Sequence, residues 1–257
     1  MLAALGEKHS FLIEPCRPTA SGSAAGNQAG GSLPSRIPLP TGIVIRGHVG
    51  AIWLPSLNSL GEGGQAAAAA YAEALRSALK ALDGKARCGW LVDLRQNSGG
   101  NMWPMLNGLD PLLGDAPFGH FLVGGSETQP WVRTAEGIAP SSSAAFGVKP
   151  GFALKHGDAP VAVLIGPQTS SSGETVAIAL LGRPQVRTFG APSAGFSTAN
   201  ETHRLSDGAT LAITVMTVRD RMGRDYRGPI TPDEEAKGEA AEIAAVEWLE
   251  AACAQAE

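Results

Sequence analysis

The chain has 257 residues, 20 Lys and Arg against 24 Asp and Glu, and a net charge of -4. At 44% apolar and 17% charged residues it has material for one sizeable core, alone or with a small appendage, which excludes disorder as the main state. No lysine or arginine run offers a footprint for a nucleic-acid backbone, and no apolar run is long enough to span a membrane.

Glu7, Lys8 and His9 stand where a signal peptide would need its apolar stretch. As given, the chain reads as cytoplasmic, and as extracytoplasmic if it is a late-start version of a longer precursor. Residues 1–15 read as a short helical remnant. The Gly/Ser/Ala stretch 19–35 reads as a flexible linker, so that 1–35 form a short N-terminal segment and 36–257 the core domain. Cys16, Cys88 and Cys253 are odd in number, far apart and in no metal spacing, so they read as neither a disulfide framework nor a zinc site. No cofactor or metal is implied.

In chain order, Gly42–Leu54 holds two short β-branched segments punctuated by Gly47 and Gly50, as strands with tight turns would. Over Gly64–Leu82, Leu75, Leu79 and Leu82 recur at helical spacing, and Asp83-Gly84 ends the run. Cys88–Leu94 is a buried-strand run followed by a Gly-rich turn, and residues 121–158 read as a β excursion. Ala159–Gly166 is a second buried strand, followed by a polar turn and an apolar helix over Glu174–Leu181. Short strands are expected over Val186–Phe189, His203–Leu205 and Thr210–Val218, and a helix over Glu234–Ala254. Strands alternating with helices predict an α/β layered core.

The chemistry lies in the second strand–turn–helix unit. In Gln168-Thr169-Ser170-Ser171-Ser172-Gly173-Glu174, a serine at the helix start is exposed beside unpaired N–H donors, the geometry a nucleophile needs. The same residues also suit a simple N-cap with Glu174 completing a capping box. Gly99-Gly100, after the first buried strand, let backbone N–H groups approach a ligand closely, or merely end the strand. A serine nucleophile needs a base. No lysine lies between residues 157 and 236, which excludes one downstream of the turn, and spacing alone places none of His9, His48, His120, His156 and His203 beside Ser171.

Taken together, Asp93-Leu94-Arg95, Asn97, Gly99-Gly100, Thr169, Ser171, Glu174, the Gly190–Gly195 block, Asp207-Gly208 and Pro232-Asp233 resemble, in this order, the carboxy-terminal-processing (tail-specific) serine peptidases. More narrowly, Gly99–Leu106, Thr169–Glu174 and Ala194–Thr202 are similar to the nisin-resistance branch. The resemblance implies an α/β fold with a ClpP/crotonase-like β-β-α core, Ser171 as nucleophile, and a peptide or protein as substrate, cut near its C-terminus. Phe196 stands where tail-specific enzymes carry their lysine base, so the resemblance implies the histidine of His9-Ser10-Phe11 instead. It further implies oxyanion donors at Ser172 and at Gly99 or Gly100, with Glu174 and Asn101 in supporting or substrate-binding roles. A peptide-binding relative without catalysis and a small-ester or amide hydrolase are the alternatives.

Overall fold

The computed structural model describes residues 8–14, 37–59, 63–141 and 153–255. The expected linker and residues 1–7 lie outside the described residues. Among those described, two sheets and four α-helices make a mixed α/β fold.

The first sheet is formed by β2 (Thr41–Ile45), β3 (Val49–Trp53), β4 (Trp90–Asp93), β8 (Val161–Ile165), β9 (Val186–Gly190) and β13 (Glu234–Glu235), in the order β13-β9-β8-β4-β3-β2. All neighbours are parallel except β2 and β3. Its central strands are buried on both faces, as covered parallel strands must be. Trp90, Val92, Val161, Val163 and Ile165 point into the larger core with the helices α1 (Gly64–Asp83), α2 (Met102–Leu109) and α3 (Ser172–Leu180). Leu91, Ala162 and Leu164 point the other way, under α4 (Glu239–Ala254). On α1, the predicted Leu75, Leu79 and Leu82 form a buried stripe, which Tyr71 extends, each worth about 1.5–3 kcal/mol of burial.

The second sheet is antiparallel. It contains β1 (Phe11–Ile13), β5 (His120–Val123), β6 (Glu127–Thr134), β7 (Gly137–Pro140), β10 (Thr198–Arg204), β11 (Thr210–Arg219) and β12 (Asp225–Tyr226). The excursion is the meander β5-β6-β7. The long strand β11 pairs with β1 and β5 and also with β10 and β12.

Two expectations are corrected. Phe11–Ile13, placed in a helical remnant, are a strand, because β11 offers an edge on which Phe11 pairs with Ala212 and Ile13 with Thr210. Cys88 and Cys253 form a disulfide with a Cα–Cα distance of 4.8 Å, because α4 crosses the sheet and brings its last turn over the residues preceding β4. A separation of 165 residues conceals such a pairing. Cys16 lies outside the described residues.

Candidate active site

Ser171 is the N-cap of α3 and holds φ 50° and ψ -118°, a conformation that L residues rarely adopt. Such strain persists only where the surroundings fix it. On one side, the Ser171 amide donates to Glu174 Oε2 at 3.1 Å, and the Ser171 carbonyl accepts from the Thr175 amide at 3.0 Å. On the other, the Ser170 amide donates to the Asn97 carbonyl at 3.0 Å. Thr169, fully buried, receives the Gly166 amide on its hydroxyl and donates that hydroxyl to the Leu94 carbonyl at 2.8 Å. The serine turn is thereby strapped to the end of β4.

The loop after β4 is shaped for close approach. Gly99 and Gly100 hold φ 107° and 110°. A Cβ on Gly99 would come within 2.8 Å of the Ser171 Cβ and 3.3 Å of the Ser172 amide nitrogen, and one on Gly100 within 1.9 Å of the Leu57 carbonyl oxygen. Only glycine fits at either position. The Ser172 hydroxyl donates to the Gly100 carbonyl at 2.6 Å, which fastens the start of α3 to this loop. The Gly99 amide donates to Asn97 Oδ1 at 3.0 Å, so of the two glycine amides expected to receive an oxyanion, this one is engaged within the loop. Asn101 caps α2, its Oδ1 accepting the Trp103 amide at 3.1 Å, while its Nδ2 donates to Ser59 at 2.9 Å. Arg95 grips Asp93 through Nε and Nη2, at 2.9 and 2.6 Å, and reaches the Gly238 carbonyl and Glu242 of α4.

Glu174 joins the serine turn to the segment before β10. It is fully buried, accepts the Ser193 hydroxyl, and accepts the Gly195 amide at 2.8 Å on the oxygen opposite the one that holds Ser171. Burial holds its carboxyl above the ordinary carboxylate range, against the pull of these hydrogen bonds.

His9 packs on that same segment. Its ring lies 5.4 Å from the ring of Phe196, and Nδ1 is 2.7 Å from the Thr198 hydroxyl. Asn200 Nδ2 donates to the His9 carbonyl at 2.8 Å, and the Thr214 amide donates to the Ser10 hydroxyl at 2.9 Å. The structure thus gathers Ser171, Ser172, Gly99, Gly100 and Glu174 and connects His9 to them through Gly195–Thr198. Elsewhere, His48 pairs with Glu250 of α4, and His203 lies 3.8 Å from Glu201 on β10. Thr198 and Asn200 were not singled out in the sequence, because their partner His9 is about 190 residues away.

Among the described residues no cluster of His, Cys, Asp and Glu could hold a metal ion, and no helix is long and apolar enough to cross a membrane. Residues 48–236 match the profile of peptidase family S41.

The chain belongs to peptidase family S41. Family S41 is a family of serine-type peptidases, and the strapped serine turn and glycine loop lie within the matched residues. The chain is 39% identical over 162 residues to the nisin-resistance protein of Lactococcus lactis subsp. lactis, an alignment covering 63% of this chain and 49% of that protein. It therefore spans about half the length of that curated relative. A lipoprotein from Streptococcus agalactiae is similar in structure, with a TM-score of 0.66 and 26% identity over 83% of this chain and 70% of that one. Mature CPAF shares the fold at 12% identity, with a TM-score of 0.53 over 79% of this chain and 50% of that one.

Proposed function

We propose that this member of family S41 is a serine endopeptidase in which Ser171 is the nucleophile and His9 the base. The observation that carries the reading is the strained φ of Ser171 at the start of α3, braced by Glu174 and facing Gly99. His9 takes the proton of the Ser171 hydroxyl as Oγ attacks the peptide carbonyl and returns it to the leaving amine. The amides of Ser172 and Gly100 receive the oxyanion, each worth about 3 kcal/mol of barrier. Gly99 serves as the close-packed neighbour of Ser171, Glu174 as the brace, and Asn101 as the cap of α2.

A peptide substrate, cut near its C-terminus, is favoured over a small ester by the free edge of β10. Among the described residues β10 pairs only with β11, and its outer edge can take an extended chain as an added strand. The relative named for nisin resistance supports an antimicrobial peptide as the substrate class. The β4–loop–α2 and β8–turn–α3 units side by side support a ClpP/crotonase-like core, and the catalytic unit is 36–257 together with the His9 segment. The Cys88–Cys253 disulfide and the lipoprotein relative favour work outside the reducing cytoplasm.

Intact-mass labelling with a fluorophosphonate tests the pair. One adduct on the wild type, absent from Ser171→Ala and His9→Ala, is expected. A folded wild type without an adduct, or undiminished labelling of His9→Ala, would refute it.

A further inference from the structure

An imidazole base works only if it is held in one tautomer and one orientation, and a histidine two residues before a three-residue edge strand needs an outside group to do this. The contacts of His9 supply one. The Thr198 hydroxyl sits 2.7 Å from Nδ1. Phe196 covers part of the ring at 5.4 Å with the planes tilted by 53°. The backbone behind the ring is fixed as well, because Asn200 holds the His9 carbonyl and itself accepts the Thr214 hydroxyl at 2.9 Å.

We infer that Thr198 is the positioning residue of the Ser171–His9 pair, accepting the Nδ1 proton of His9 so that Nε2 carries the lone pair that acts as base. This inference rests on the reading of Ser171 and His9 given above. With Nδ1–H donated to Thr198, the Ser171 proton passes to Nε2 as the bond from Oγ to the carbonyl carbon forms. The imidazolium keeps both protons, one still shared with Thr198, until Nε2–H goes to the amine nitrogen as the C–N bond breaks. Thr198 exchanges no proton with substrate and stays neutral. It aims the ring without lending the imidazolium the counter-charge that a carboxylate in that place would supply.

Phe196 completes the arrangement by closing one face of the ring, where a rotated imidazole would otherwise swing away from Thr198. The backbone also places both residues well. Glu174 grips the Gly195 amide, and β10 begins at Thr198, so the segment that carries Phe196 and Thr198 is anchored at both ends.

The test is the fluorophosphonate labelling rate as a function of pH for Thr198→Val, Thr198→Ser and Thr198→Asp, with folding followed by urea midpoint. Thr198→Val keeps the shape and removes the acceptor, so labelling is expected to slow about 10- to 100-fold at an unchanged midpoint, while Thr198→Ser stays within about threefold of wild type. Thr198→Asp, which supplies a counter-charge, is expected to move the acid limb of the profile to higher pH, a change that a merely structural role would not produce. Wild-type labelling by folded Thr198→Val would overturn the inference, as would an unmoved acid limb in Thr198→Asp, or slowing that only follows the urea midpoint and is not rescued by serine. Each of these outcomes is separate from failure of the pair itself, which shows as undiminished labelling of His9→Ala.

Discussion

Glu174 holds the Ser171 amide at 3.1 Å with one carboxylate oxygen and the Gly195 amide at 2.8 Å with the other. One buried side chain therefore sets both the strained turn of the proposed nucleophile and the start of the segment against which His9 packs. Glu174→Gln offers a single oxygen to donors on both sides and turns an NH2 toward one of them. The loss is expected to cost about 1–3 kcal/mol in urea unfolding and to slow fluorophosphonate labelling at least tenfold.

The same carboxyl gives stability a pH dependence. Because burial raises its folded pKa, the native state binds the proton more tightly than the unfolded chain does. Its contribution is fully present below the ordinary carboxylate range and declines as pH rises from there through the raised value. The difference in unfolding free energy between wild type and Glu174→Gln should therefore shrink across that interval and be level above it, as urea titrations at a series of pH values will read.

The two glycines of the proposed oxyanion loop should separate function from folding. Gly99→Ala places a methyl group 2.8 Å from the Ser171 Cβ, where the turn must shift, and is expected to lose labelling at least 100-fold while still folding. Gly100→Ala places its methyl group 1.9 Å from the Leu57 carbonyl oxygen, inside backbone that cannot yield. It is expected to destabilise the chain by more than about 3 kcal/mol, measured by thermal and urea unfolding.

Reduction of Cys88–Cys253 releases a closed loop of 165 residues. Stability is expected to fall by about 2–5 kcal/mol in urea titrations with and without reductant. The labelling rate at low urea should be unchanged, since the hydrogen bonds that hold the serine turn involve neither cysteine.

Arg95 ties Asp93, at the end of β4, to Glu242 and the Gly238 carbonyl of α4. Arg95→Lys keeps the charge but not the two-pronged grip, so it should recover less than half of the loss in urea midpoint produced by Arg95→Ala.

Much of the fold was legible because periodicity carried it. The stripe on α1 and the apolar runs of β4 and β8 read directly from spacing. Helix α2 did not, since Pro104 and Gly108 interrupt its pattern, although an Asn cap followed by proline in the first turn was a usable signal. Strand β10 extends to Thr198, well before the short run His203–Leu205, because Thr-Ala-Asn-Glu-Thr on a half-exposed edge lacks the apolar alternation that marks a strand. The region expected to be one helix from Glu234 starts at Glu239, because Glu234-Glu235 pair with β9 and Gly238 turns the chain at φ 58°. The serine turn and the glycine loop were visible as local motifs. Thr198, Asn200 and the disulfide depend on pairings that only the folded chain creates.

The disulfide draws a covalent ring from residue 88 to residue 253 that contains Ser171, the glycine loop and Glu174, and leaves His9 outside. Among the described residues, strand β1 meets that ring through three register pairs with β11, and its residues are exposed. The proposed nucleophile and its proposed base therefore lie inside and outside the covalent ring, so they are expected to open with different free energies. On warming, fluorophosphonate labelling of Ser171 is expected to fail at a lower temperature than the one at which the ring around it unfolds.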